Sequence, residues 1–112
     1  MKLPFATAYI RFLGLKAPVK FRIIKGSRKP FDAEYEPIYS DDAENVIEYH
    51  SIVICRQNVG RAFRTLVAHE LIHAAQEEKG LLEFHGPFFQ RKARAMGKMF
   101  GLKEIFINGV DV

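Results

Sequence analysis

Hydrophobic and polar positions along this chain keep a helical period, switch to a period of two, and then return to the helical one. Phe5, Ala8, Tyr9, Phe12 and Leu13 recur at helical spacing, and Gly14 closes the run. In "PVKFRIIKG", Val19, Phe21 and Ile23 alternate with Lys20 and Arg22, which predicts a strand ending at Gly26. The segment "RKPFDAEYEPIYSDDAEN" is rich in turn formers, with room for a short strand around Tyr35 to Tyr39. "NVIEYHSIVICRQ" is dense in β-branched and aromatic residues and reads as one strand, or two with a break near His50. After "QNVG" the helical period returns. Ala62, Leu66, His69 and His73 share a face, flanked by Phe63, Val67 and Ile72, and predict a helix from about Gly60 to Lys79 that stops at Gly80. Pro87 suits the first turn of a last helix, whose buried face is Phe89, Ala93, Met96 and Phe100 and whose end is Gly101. A short extended segment is expected around Ile105 to Ile107.

With 112 residues, 48% of them hydrophobic, the chain has material for one core and too little for two. No apolar run approaches the roughly 20 residues of a membrane span. The start, "MKLPFATAYIRFLG", is interrupted by Pro4 and Arg11 and does not read as a signal peptide, so a cytoplasmic location is expected. The lone Cys55 agrees: it forms no internal disulfide and reads as a small buried apolar residue. The net charge of +4 is unevenly spread. Residues 16–29 hold six Lys/Arg and no acid, residues 32–48 hold seven Asp/Glu and no base, and the last helix carries Arg91, Lys92, Arg94 and Lys98. Such patches can attract DNA by neutralising phosphates, although the sequence holds no binding motif to go with them.

The chemistry lies in "LVAHELIHAAQ", Leu66 to Gln76. Helical residues four apart stand one above the other, so His69 and His73 can aim an imidazole nitrogen each at one ion. Zinc accepts such nitrogens at about 2.0–2.1 Å. Glu70 points about 100° round the helix from His69. That is too far aside for easy ligation, and it suits a carboxylate that takes a proton from a zinc-bound water. With four His in the chain, chance alone would produce His-Glu-x-x-His on the order of 1% of the time. A catalytic zinc ordinarily has three protein ligands and one open position. The metzincin pattern is excluded, because Gln76 and Lys79 stand where it needs Gly and His. The remaining candidates are Glu77, Glu78, Glu83, His50 and His85. His85 is the best placed: Gly80 lets the chain turn back, and Gly86-Pro87 fixes the start of the next helix. His50 reads as a strand residue.

"HELIHAAQ" followed by "HGPFFQRKARAMG" resembles the SprT-like and Spartan family of zinc metalloproteases over about residues 45–100. That family places its third zinc histidine in an "HG-P-x-F" segment opening the helix after the active one. The resemblance implies zinc on His69, His73 and His85, with Glu70 as general base in the hydrolysis of peptide bonds of a protein substrate. It implies a minimal zincin-like α+β core: an N-terminal helix, a small mostly antiparallel sheet, the metal helix against it and a C-terminal helix. It also implies that a sheet edge receives extended peptide. Tyr39, Tyr49 and Arg91 are candidates for stabilising the oxyanion. The alternative is a zinc-stabilised module that binds nucleic acid or a partner protein with little catalysis. Glu70 speaks against it, since a structural zinc needs no base and usually has four closed protein ligands.

Overall fold

A computed structural model describes residues 3–24, 33–43, 45–55, 63–103 and 105. Helix α1 is Pro4–Leu13, strands β1, β2 and β3 are Val19–Ile24, Ala33–Tyr39 and Ile47–Cys55, and helices α2 and α3 are Phe63–Lys79 and Pro87–Phe100. The architecture is α+β, three helices on a three-stranded sheet. The expected ends at Gly26 and Gly60, and most of the extended segment near residue 106, lie outside the described residues.

The sheet corrects one expectation. Its order is β1-β3-β2, with β1 parallel and β2 antiparallel to β3, so it is mixed rather than mostly antiparallel. Periodicity tells which side chains face the core but not which strands are neighbours. Here the longest strand, β3, takes the centre, where both edges are paired. It is also one unbroken strand through His50. The two polar-patterned strands flank it, and Pro37, which lacks a ladder donor, sits in an edge strand. The register stacks three rows on one face: Val19–His50–Pro37, Phe21–Ile52–Tyr35 and Ile23–Ile54–Ala33. A register shift between Ile38 and Tyr39 ends the β2–β3 ladder with Tyr39 opposite Ile47.

That face packs on α2, and α1 and α3 cover much of the rest of the helix. Residues Val67 to Gln76 are all buried, ten in succession. A helix enclosed on every side needs no apolar stripe, which is why α2 shows a weaker pattern than α3. Its apolar members, Val67, Ala68, Leu71, Ile72 and Ala75, form the main core with Ile52, Ile54, Phe89 and Met96. The buried face of α1 is Ala6, Tyr9 and Leu13, while Ala8, expected on that face, is exposed. Tyr9 and Phe12 meet Phe100 of α3 at ring-centroid distances of 4.7 and 5.9 Å, closing the helical layer.

Candidate metal centre

Helix α2 presents His69 and His73 one turn apart, and the α2–α3 connector returns His85 to them. Two glycines make that return possible. Gly80 ends α2 at φ 69°, where a side chain would strain the backbone, and its N–H reaches the Glu77 carbonyl at 3.1 Å. Gly86 closes a tight turn on the Glu83 carbonyl at 3.1 Å, and a Cβ there would lie 2.7 Å from Glu83 Cβ. Pro87 then starts α3. The result is a group of three imidazoles whose candidate ligand atoms all lie within 4.8 Å of one another.

The spacing inside the group fits a metal ion. The His73 Nε2 atom lies 3.2 Å from His69 Nε2, and His85 Nε2 lies 3.4 Å from it. Two nitrogens bound to one zinc at about 2.0–2.1 Å and a tetrahedral angle stand about 3.3–3.4 Å apart. The outward nitrogens are tied down as well. His69 Nδ1–H donates to the Ile105 carbonyl at 2.7 Å, and His73 Nδ1–H donates to Gln76 Oε1 at 2.9 Å. The Gln76 amide cannot be turned round, because its Nε2–H donates to the Glu83 carbonyl at 2.8 Å. With the proton on Nδ1, each neutral ring offers a lone pair at Nε2, the form a metal takes. Two such lone pairs facing each other at 3.2 Å repel unless a cation lies between them. Three histidines are therefore close enough, and suitably turned, to bind a metal ion.

Phe89 forms the floor. Its ring centroid lies 4.7 Å from that of His69 and 4.9 Å from those of His73 and His85, and it is fully buried. The last turn of the architecture comes from the segment after α3. Thr65 Oγ1 donates to the Lys103 carbonyl at 3.3 Å, and His69 to that of Ile105. Thr65 and His69 are four residues apart and about 6 Å along the helix, so the two carbonyls meet two successive turns of α2.

Glu70 is buried, and neither carboxyl oxygen finds a hydrogen-bond partner among the described residues. Burial, and to a lesser degree the charge of Glu34 on β2, pushes its carboxyl up to about 8. An unpaired carboxyl in such a place is costly to the fold, and a neighbouring dication is the kind of charge that relieves it.

The other ligand candidates lie outside the group, and most are engaged elsewhere. The Tyr35 hydroxyl, held protonated well above its ordinary range chiefly by burial, donates to His50 Nδ1 at 2.8 Å, and His50 Nε2 donates to Glu78 at 2.7 Å. Glu78 also accepts the N–H groups of Lys16 and Ala17. Glu77 accepts the Tyr39 hydroxyl, and Glu83 is exposed. Of the oxyanion candidates, Tyr39 is thus committed to Glu77, Tyr49 lies under the Lys20 ammonium and Arg91 lies across Phe88. On α3 the exposed cations are Arg91, Arg94 and Lys98, whereas Lys92 reaches over Phe12 and Phe88. Of the basic stretch 16–29, only Lys16, Lys20 and Arg22 fall among the described residues.

Sequence reasoning missed Gln76 and the Ile105 carbonyl. Gln76 was legible only as a departure from the metzincin pattern, and a backbone acceptor 36 residues away leaves no mark in the residue types. No described helix is long and apolar enough to cross a membrane. Comparison of the chain with protein-family models, with curated proteins and with solved structures finds no match.

Proposed function

We propose that the chain is a zinc-dependent peptidase of the SprT-like kind, with His69, His73 and His85 as ligands and Glu70 as general base. The observation that carries this reading is the convergence of three Nε2 atoms at ligand spacing, on and next to a helix that also buries the Glu70 carboxyl without a partner among the described residues. A donor set of three imidazoles without thiolate suits zinc, and three protein ligands are the number that catalytic zinc sites use. Zinc, when bound, supplies Lewis acidity, polarising a carbonyl and making water a better nucleophile at neutral pH. The protein does the rest. Glu70 receives the proton of the attacking water and returns it to the amide nitrogen, so that as the C–N bond breaks the leaving group is a neutral amine and not an amide anion. Phe84 packs edge-on against His73 with a centroid separation of 5.7 Å and is largely exposed, as is Leu82. Together they offer apolar surface to a substrate side chain beside the ligands. Strand β2 pairs only with β3 among the described strands, so its outer edge has backbone groups to offer an extended peptide.

The test uses Glu70→Gln, which is nearly isosteric and cannot act as a base. It is expected to bind about one equivalent of zinc like the wild type and to lose cleavage of an unfolded protein substrate, whereas His69→Ala, His73→Ala and His85→Ala, each left with two imidazoles, bind zinc far more weakly. Cleavage by Glu70→Gln at the wild-type rate sinks the mechanism. A wild type that binds zinc but cleaves nothing, with or without DNA, leaves a zinc-stabilised binding module instead.

A further inference from the structure

Gln76 lies at the end of the buried stretch of α2, one turn past His73, and is 1% exposed. A buried primary amide has to satisfy both ends, and this one does so in two different parts of the site. Its Oε1 accepts from His73 Nδ1, and its Nε2 donates to the Glu83 carbonyl. Its own backbone carbonyl receives the Leu81 N–H at 3.0 Å. One residue therefore holds the start of the connector, its middle and the second histidine. Glu83 in turn receives the Gly86 N–H, and His85 lies within that turn.

We infer that Gln76 is a positioning residue that couples His73 to His85, so that the third ligand arrives only where the second is already turned to receive the metal. The inference rests on the metal-site reading and not on any proteolysis. Removing the amide frees His73 to rotate or change tautomer and releases the connector at Glu83. A carboxylate in its place does half the work. It accepts from His73 Nδ1–H, but it faces the Glu83 carbonyl with a lone pair where a donor stood. The two contacts can thus be separated by substitution.

The experiment measures zinc affinity by chelator competition, and the visible spectrum of the Co2+-loaded protein, for the wild type, Gln76→Ala and Gln76→Glu. Outer partners of metal-bound histidines are typically worth about 10–100-fold in affinity. Gln76→Ala is expected to fall in that range and to lose Co2+ absorption intensity as the coordination loosens. Gln76→Glu should fall by less, and its loss should largely vanish in a His85→Ala background, because it acts through that ligand. Nitrogen-detected NMR of the metal-free protein adds a readout free of metal: His73 should be protonated at Nδ1 in the wild type and in Gln76→Glu, and a tautomer mixture in Gln76→Ala. Zinc affinity of Gln76→Ala within about two-fold of wild type, with an unchanged tautomer, overturns the proposal. Additive losses for Gln76→Glu and His85→Ala overturn the coupling. Should Gln76→Ala fail to fold, Gln76→Leu, of similar bulk and with neither polar atom, takes its place. A wild type that binds metal and cleaves nothing removes the peptidase reading and leaves this one standing, whereas a wild type that takes up neither zinc nor Co2+ overturns both.

Discussion

Glu70 is the residue at which stability and chemistry pull apart. Leu71 and Ile72 beside it fill the core, while Glu70 occupies the same buried environment with two oxygens that have no partner among the described residues. An unmade hydrogen bond of this kind costs a fold about 1–3 kcal/mol, and a side chain of similar size without polar atoms avoids that cost. Glu70→Met should therefore raise the stability of the metal-free protein by about that amount in urea denaturation, while abolishing cleavage. A variant that is less stable than the wild type would mean the carboxyl has a partner. At this scale the sequence was informative where a local rule applied. The spacing of His69 and His73 is dictated by the helix, and the turn residues Gly80 and Gly86 point to His85. It was silent about Gln76, whose two partners depend on how the connector folds back, and it showed Phe89 as a core residue without revealing that three imidazoles rest on it.

Among the elements, the C-terminal turn of α2 is fixed by Glu78, which gathers the backbone of residues 16 and 17 just ahead of β1 and the imidazole of β3. Burial alone would raise its carboxyl, but the bond from His50 and the N–H groups of Ala17 and Lys16 outweigh it and hold the group below its ordinary value. A depressed native pKa adds stability that is present above the unfolded-state value, about 4.3, and that is lost as pH falls through the native one. Wild type should then exceed Glu78→Gln in stability by about 1–3 kcal/mol at pH 7, and the two urea midpoints should converge on acidification below about pH 4. A gap that stays constant from pH 7 to 3 would mean that charge plays no part in the latch. The three helices and β1 were legible from their periods, β3 from its β-branched and aromatic residues, and β2 only as room for a short strand in a turn-rich segment. Their arrangement was less so, because the pattern of β1 is the same whether its neighbour is β2 or β3, and only the position of β3 between them gives a mixed sheet.

For the whole molecule, the asymmetry of α3 matters most. Phe89, Ala93 and Met96 face the core, and Arg91, Arg94 and Lys98 stand out on the helix that follows His85. If this face guides a polyanion to the centre, DNA binding should fall steeply with salt, and reversing all three charges should flatten the slope by about one unit of log K per log salt for each lost phosphate contact, with zinc content unchanged. Equal slopes in a salt titration of the two proteins, or no binding at low salt, would make it an ordinary solvated face. The bond from His69 to the carbonyl of Ile105 has a different kind of reach. Every residue type carries that carbonyl, so substitutions at position 105 that keep the packing leave the bond intact, whereas a single insertion or deletion between Met96 and Ile105 carries the acceptor out of register with α2. In the divergence of such a chain, position 105 is free to change its letter within the packing, and the stretch that leads to it is held to its length.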